Sequence, residues 1–283
     1  MIKKPAKKKL FPLLAKFFIF IALVFGLAAV FFPLPGDVPV LMYHFIGAKK
    51  DADDSKNFVT VKSFSRQMAF LKWMRYRVIS LDDFYALKSG QRKPLGREIL
   101  ITFDDGNESF ETKAFPVLKN YQFPVTLFLV SESVKRGTNG SMTAKIIISL
   151  LSNPWIAIGS HTKTHPFLTE MDEAQIKDEL EGSKKDLELI FERKVDYLAY
   201  PSGDFDKRAA SIAEQAGYRL AFTTSQKKLK GLKEGPFALT REKVSRSSDN
   251  LFIFWFETSG IYQFLKKSQY QLKTLFPISH PDR

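Results

Sequence analysis

The chain has 283 residues, 45% of them hydrophobic and 26% charged, with no cysteine and a net charge of +13. That balance supports a buried core and argues against a disordered chain, and the lack of cysteine excludes disulfides and thiolate metal sites. No internal repeat, long low-complexity run or nucleic-acid motif stands out, so the positive charge reads as a basic solvated surface and no nucleic-acid partner is expected.

Six of the positive charges fall in residues 1–36, namely Lys3, Lys4, Lys7, Lys8, Lys9 and Lys16, with no acid among them. They lead into an apolar run at residues 10–34, whose uncharged core FFIFIALVFGLAAVFF covers residues 17–32. At ~1.5 Å per residue, a helix of this length spans a bilayer. Lysines on its leading side place the remainder outside the cytoplasm. Pro33, Pro35 and Gly36 end the helix. A cleaved signal peptide is the competing reading, with Gly26 and Ala28 as weak cleavage-site residues. The run continues past them through Val30, Phe31 and Phe32, which favours an uncleaved anchor over secretion. The expected division is therefore a basic stretch and single-pass membrane anchor at 1–36, and a periplasmic or extracellular domain at 37–283.

Beyond the anchor, VPVLMYHF at 38–45 is a short apolar, β-branched run and predicts a buried strand that reaches His44. A polar loop at 47–57 precedes a predicted helix at 64–74 with Ser63 as N-cap. A strand at 77–80 and a helix at 81–87 come next. Residues 99–103 form a continuous apolar strand with carboxylates at its end. A helix at 112–120, a buried strand at 123–130, an unassigned stretch at 132–153 and a strand at 155–159 follow. Residues 171–193 predict one long amphipathic helix. A strand at 196–200, a helix at 207–216 with Gly217 beyond its end, and a strand at 220–223 complete the pattern. Buried strands alternating with helices imply a parallel sheet with helices outside, and polar chemistry sits where strands stop.

Two groups of residues carry that chemistry. Asp104 and Asp105 stand at a strand end before Gly106; one carboxylate can bind a metal while the other accepts a proton. His161 and His165 stand at i, i+4 in SHTKTHP, two of only four histidines in the chain. Neutral imidazoles at this spacing suit zinc and related divalent ions. One carboxylate added to them gives a three-ligand site with an open position for catalytic water.

TFDDG (102–106), HTKTH (161–165) and AYPSG (199–203) resemble, in this order, the first three motifs of the polysaccharide deacetylase family, the NodB-homology or carbohydrate esterase 4 group. PVTLFLV, IGSHTKTHP and AEQAGYRLAFTT fit as flanking phrases, so the resemblance spans about residues 38–244. It implies an α/β fold, a deformed (β/α) barrel, that binds one divalent metal and removes N-acetyl groups from an N-acetylglucosamine-containing polysaccharide. The metal would be zinc, with cobalt, nickel or iron as alternatives. By the same resemblance Asp104 is the general base, and Asp105, His161 and His165 are the ligands. Pro201 shapes the pocket wall, and the Ser202 backbone N–H donates to the oxyanion.

Many family members take their general acid from a late Leu-x-His phrase, and the only late histidine here is His280. A permuted branch, which includes bacterial poly-N-acetylglucosamine deacetylases, takes it from an early motif. PVLMYHFIG (39–47) resembles that motif, so His44 is preferred. Two departures stand out. Leu198 occupies the place of the usual third-motif Arg, which leaves Arg241 in ALTREKV as the candidate to orient Asp104. Ser202 replaces the usual tyrosine. The aromatic-rich tail at 250–276 is expected to pack against the barrel. The alternatives to a polymer deacetylase are an inactive glycan-binding barrel and an enzyme for a smaller amide or ester.

Overall fold

The computed structural model describes residues 38–48, 57–137, 140–224 and 235–259. Its strands, in chain order, are β1 (Val40–Tyr43), β2 (Phe45–Ile46), β3 (Phe58–Val59), β4 (Arg77–Val78), β5 (Glu98–Phe103), β6 (Val125–Leu129), β7 (Ile156–Ser160), β8 (Tyr197–Ala199), β9 (Leu220–Thr224) and β10 (Leu239–Lys243). Its helices are α1 (Val61–Trp73), α2 (Leu81–Lys88), α3 (Phe115–Leu118), α4 (Ser131–Arg136), α5 (Ala144–Leu150), α6 (Glu173–Lys177), α7 (Ser183–Phe191), α8 (Lys207–Gln215) and α9 (Leu251–Thr258).

Among the described residues, seven parallel strands run in the order β1-β10-β9-β8-β7-β6-β5, and β5 pairs back onto β1 to close a barrel. β4 adds to the first two residues of β5, whereas β6 pairs with the last two. β2 and β3 form a separate parallel pair. Closure explains why β5 is buried along its whole length and reads as a largely apolar run, EILITF.

Both faces of β5 are used. Phe103 points outward into Tyr43, Phe64 of α1 and Phe110, with ring centroids 4.8–5.9 Å apart. Leu100, on the other face, joins Val40, Phe128, Ala199, Leu220 and Phe222 in one interior cluster, to which α2 adds Leu81 and Phe84. Each such large apolar side chain contributes about 1.5–3 kcal/mol by leaving water. Thr102 and Asp104 share the face of Leu100 by the two-residue repeat of a strand. The barrel interior is therefore apolar at one end and polar where the strands stop.

The parallel barrel expected from the sequence is present, and several local expectations are corrected. α1 begins at Val61, because the Thr60 hydroxyl, not Ser63, accepts the orphan N–H and forms the cap. The helix expected over 171–193 is continuous from Glu173 to Phe191, capped by a box of Asp172 with Gln175, but it contains a π turn at Asp178–Gly182 between α6 and α7, and a 3-10 turn at Leu168–Glu170 precedes it. The helix expected at 112–120 is a π turn at Phe110–Ala114 running into α3. The unassigned stretch 132–153 holds most of α4 and all of α5. β10 was not expected, because LTREK carries three charges and lacks an apolar signature; Arg241 and Glu242 are nonetheless buried in it.

Among the described residues no helix is long and apolar enough to cross a membrane. The apolar run at 10–34, His280 and most of the aromatic tail lie outside the described residues.

Candidate active site

The candidate residues gather at one rim. His44 follows β1, Asp104 and Asp105 follow β5, His161 follows β7, and Pro201 comes two residues after β8. In a closed parallel barrel all these strand ends face the same side, which is where loops can pool side chains from distant parts of the chain. Arg241 lies within β10 and reaches the same place from the interior.

Asp104 is almost wholly buried and is held by a fork. Arg241 donates from Nη1 to Oδ1 at 2.7 Å and from Nη2 to Oδ2 at 2.6 Å. Arg241 Nη1 also lies 3.2 Å from the Thr102 hydroxyl, and its guanidinium carbon sits 5.2 Å from the Phe128 ring centroid. Burial pushes the Asp104 carboxyl up. The charge and hydrogen bonds of Arg241, with help from His161 and His44, outweigh this and hold it at about 2. The group is therefore ionised throughout the neutral range. Leu198 is buried in β8 and supplies no charge, so Arg241 fills the orienting position from a different strand.

Asp105 turns the other way. Its φ of 69° and that of Gly106 at 66° make two successive left-handed residues, which swing the Asp105 side chain out of the strand repeat and leave it partly exposed. A left-handed non-glycine residue costs about 1–3 kcal/mol, and such strain concentrates at functional sites. Gly106 has a second constraint, since a Cβ there would come within 2.9 Å of the Leu129 side chain.

His161 is buried, and His165 is exposed. The HTKTH segment is a loop rather than a helix, with Thr162 and His165 both at φ 65°. His161 Nδ1 lies 2.7 Å from the Ala199 carbonyl, so it is the protonated nitrogen, and Nε2 keeps its lone pair toward the site. Burial drives His161 toward the neutral form, and this outweighs the opposing pull of Asp104 and Asp105. His161 Nε2 is 3.5 Å and His165 Nε2 3.6 Å from Asp105 Oδ1.

These three donors fit a divalent ion. All lie within 4.8 Å of one another. Two ligands at about 2.1 Å from one ion at a tetrahedral angle stand about 3.4 Å apart, close to both nitrogen–oxygen separations. Two imidazoles and one carboxylate suit zinc and its neighbours.

His44 Nε2 stands 4.0 Å from Asp104 Oδ2, with its side chain 21% exposed, so its ring faces the site from β1. Its Nδ1 is buried without a hydrogen-bond partner among the described residues. Pro201 is buried, and Ser202 is exposed with φ 53° and ψ 12°, a left-handed turn directly beyond the strand whose Ala199 carbonyl holds His161. The sequence reading missed the parts played by Thr102 and the Ala199 carbonyl. Thr102 had a visible signal, because it lies two residues before Asp104 on one strand.

A family model described as polysaccharide deacetylase matches residues 91–221. The Bacillus subtilis (strain 168) protein YxkH, assigned to the polysaccharide deacetylases, is 29% identical over 211 residues, covering 75% of this chain and 72% of that protein. The poly-β-1,6-N-acetyl-D-glucosamine N-deacetylase of Staphylococcus aureus is 26% identical over 197 residues, covering 65% of this chain and 67% of that one. The crystal structure of a polysaccharide deacetylase from Bacillus cereus superposes with a TM-score of 0.68 at 25% identity, over 78% of this chain and 68% of that one. With three motifs converging on one rim of a closed parallel barrel, and these relatives alongside, the chain carries a domain of the polysaccharide deacetylase type, the type of hydrolase that acts on N-acetyl groups.

Proposed function

We propose that this chain is a metal-dependent deacetylase that removes N-acetyl groups from an N-acetylglucosamine-containing polysaccharide at the cell envelope. One observation carries the reading: the Asp105, His161 and His165 donors converge within 4.8 Å beside a buried carboxylate that Arg241 holds ionised. The naming of the Staphylococcus aureus relative supports the choice of polymer.

Hydrolysis of an acetamide requires a nucleophilic water, stabilisation of the oxyanion and a proton for the departing amine. A divalent ion on Asp105, His161 and His165 supplies Lewis acidity toward the acetyl carbonyl and lowers the pKa of water. Asp104 accepts the proton of the attacking water, and Arg241 fixes the direction of its oxygens. The Ser202 backbone N–H donates to the developing oxyanion. His44 delivers the proton to the amine nitrogen. Pro201 forms the wall against which the sugar lies.

The apolar run at 10–34, led by lysines, supports tethering to the membrane with the domain outside the cytoplasm. A reporter fused after Arg283 is expected to be active only outside; activity confined to the cytoplasm would reverse that orientation. The function itself is tested by acetate release from poly-N-acetylglucosamine, peptidoglycan and chitin oligomers, with metal analysis of the same sample. The expected result is metal-dependent release from at least one of them. Release from none, by a protein that carries its metal, would sink the polymer reading.

A further inference from the structure

The two histidine ligands sit at opposite ends of a five-residue loop, and they are held differently. His161 continues β7, and its ring is pinned by the Ala199 carbonyl. His165 is exposed, and its backbone has left the strand. Something must keep the segment between them in a shape with two left-handed residues, Thr162 and His165, because that shape is unfavourable for L side chains.

Glu179 stands against this segment from the π turn Asp178–Gly182 and is 4% exposed. Its Oε2 accepts the Lys163 amide at 2.8 Å and the Thr164 amide at 2.8 Å. Its Oε1 accepts the Thr164 hydroxyl at 2.6 Å. Both carboxylate oxygens are thus spent on Lys163 and Thr164, two of the three residues between the ligands. Thr162 and Lys163 are gripped from their carbonyl side by α4: Ser131 N donates to the Thr162 carbonyl at 3.2 Å, and Glu132 N to the Lys163 carbonyl at 3.0 Å. Four residues beyond Glu179, Ser183 reaches the foot of the loop. Its hydroxyl lies 2.8 Å from that of Ser160, which accepts the Thr162 amide at 3.1 Å. π turns are frequent at functional sites; this one presents Glu179 to the loop, and Ser183, the residue that follows it, starts α7 beside the loop's foot.

We propose that Glu179 is a positioning residue of the metal centre: its carboxylate clamps the Lys163–Thr164 amides and so holds His165 at ligating distance from Asp105 and His161. It touches neither ligand side chain and acts through the backbone. Charge-assisted hydrogen bonds to two successive amides are strong and directional, whereas water in their place would leave the loop free to relax its left-handed residues. The inference rests on the metal reading of the site and adds to it a residue outside the three motifs.

The test is a cobalt(II) titration of the full chain after metal removal, read by visible absorption and beside a far-ultraviolet spectrum of the metal-free protein. Outer residues that orient ligands are worth roughly 10–100-fold in metal affinity, and Glu179→Ala is expected to raise the cobalt Kd by that much. It should also alter the cobalt absorption bands and leave the metal-free fold unchanged. Glu179→Gln, which keeps the shape but not the charge, should weaken binding less. Glu181→Gln, in the same turn but half-buried and paired with Lys177 rather than with the loop, should bind as the unaltered chain does. Unaltered affinity and spectrum in a folded Glu179→Ala would overturn the clamp; if that variant does not fold, unaltered binding by Glu179→Gln does so. An unaltered chain that binds no cobalt, zinc or nickel would overturn the metal reading itself, and the clamp with it.

Discussion

Arg241 and Asp104 stand 137 positions apart in the chain and meet through two hydrogen bonds, with both side chains almost wholly buried. Removing one partner of a buried pair leaves the other charged and unsolvated, at a cost of about 3–5 kcal/mol. Arg241→Met is therefore expected to lose stability on that scale in urea denaturation. Arg241→Lys should recover only part, because an ammonium cannot reproduce the two-pronged contact. The double variant Arg241→Met/Asp104→Asn should be more stable than Arg241→Met alone. Equal stability of the two would mean that the carboxylate is not what makes the arginine necessary.

The same pair sets a pH dependence. Asp104 is held at about 2 against an ordinary 3.8. A carboxyl whose folded-state pKa is lowered stabilises the fold above its unfolded pKa and loses that contribution as pH falls through the folded value. The contribution is about 2 kcal/mol at neutral pH, lost between about pH 4 and pH 2. Urea midpoints of the natural chain and Asp104→Asn should converge as pH falls through this window. A gap between them that widens toward pH 2 would contradict the assignment.

The adjacent carboxylates should separate by metal content. Asp104→Asn keeps the shape and removes the basicity, so it should retain the metal and lose turnover by about 10²–10⁴. Asp105→Asn, His161→Ala and His165→Ala should each lose metal and activity in parallel, with partial recovery in excess metal for the Asp105 variant. Metal analysis beside rates decides. Loss of metal in Asp104→Asn with full retention in Asp105→Asn would exchange the two roles.

His44 has the position of a proton donor, 4.0 Å from Asp104 on the site rim. His44→Ala should cut turnover by about 10²–10⁴ with the metal retained, and His280→Ala should leave turnover nearly unchanged. Effects in the opposite order would remove this chain from the branch that uses the early histidine.

The alternation of apolar strands and helices, and three short motifs at strand ends, were legible without coordinates. These are local patterns: strands buried on both faces are mostly apolar runs, and a DDG or HTKTH phrase is read from adjacent residues. Arg241 was also reachable, although only by noticing that Leu198 leaves Asp104 without its usual partner. The π turn within the helix expected at 171–193 was not legible. The hydrophobic spacing suits one helix, whereas the cap at Asp172 and the π turn at Asp178–Gly182 reflect what the neighbouring loop requires.

The sequence alone thus determined the fold class and the kinds of side chain at the rim, because those depend on residue type and short-range order. Only the tertiary structure decided how they are held. LTREK had to become a barrel strand before Arg241 could reach Asp104, and β8 had to lie beside β7 before the Ala199 carbonyl could choose the tautomer of His161. Glu179 had to be brought across from the π turn before its carboxylate could take the Lys163 and Thr164 amides. Each of these contacts joins groups at least fifteen residues apart, and the packing of strands and helices in the folded barrel brings them within hydrogen-bond reach.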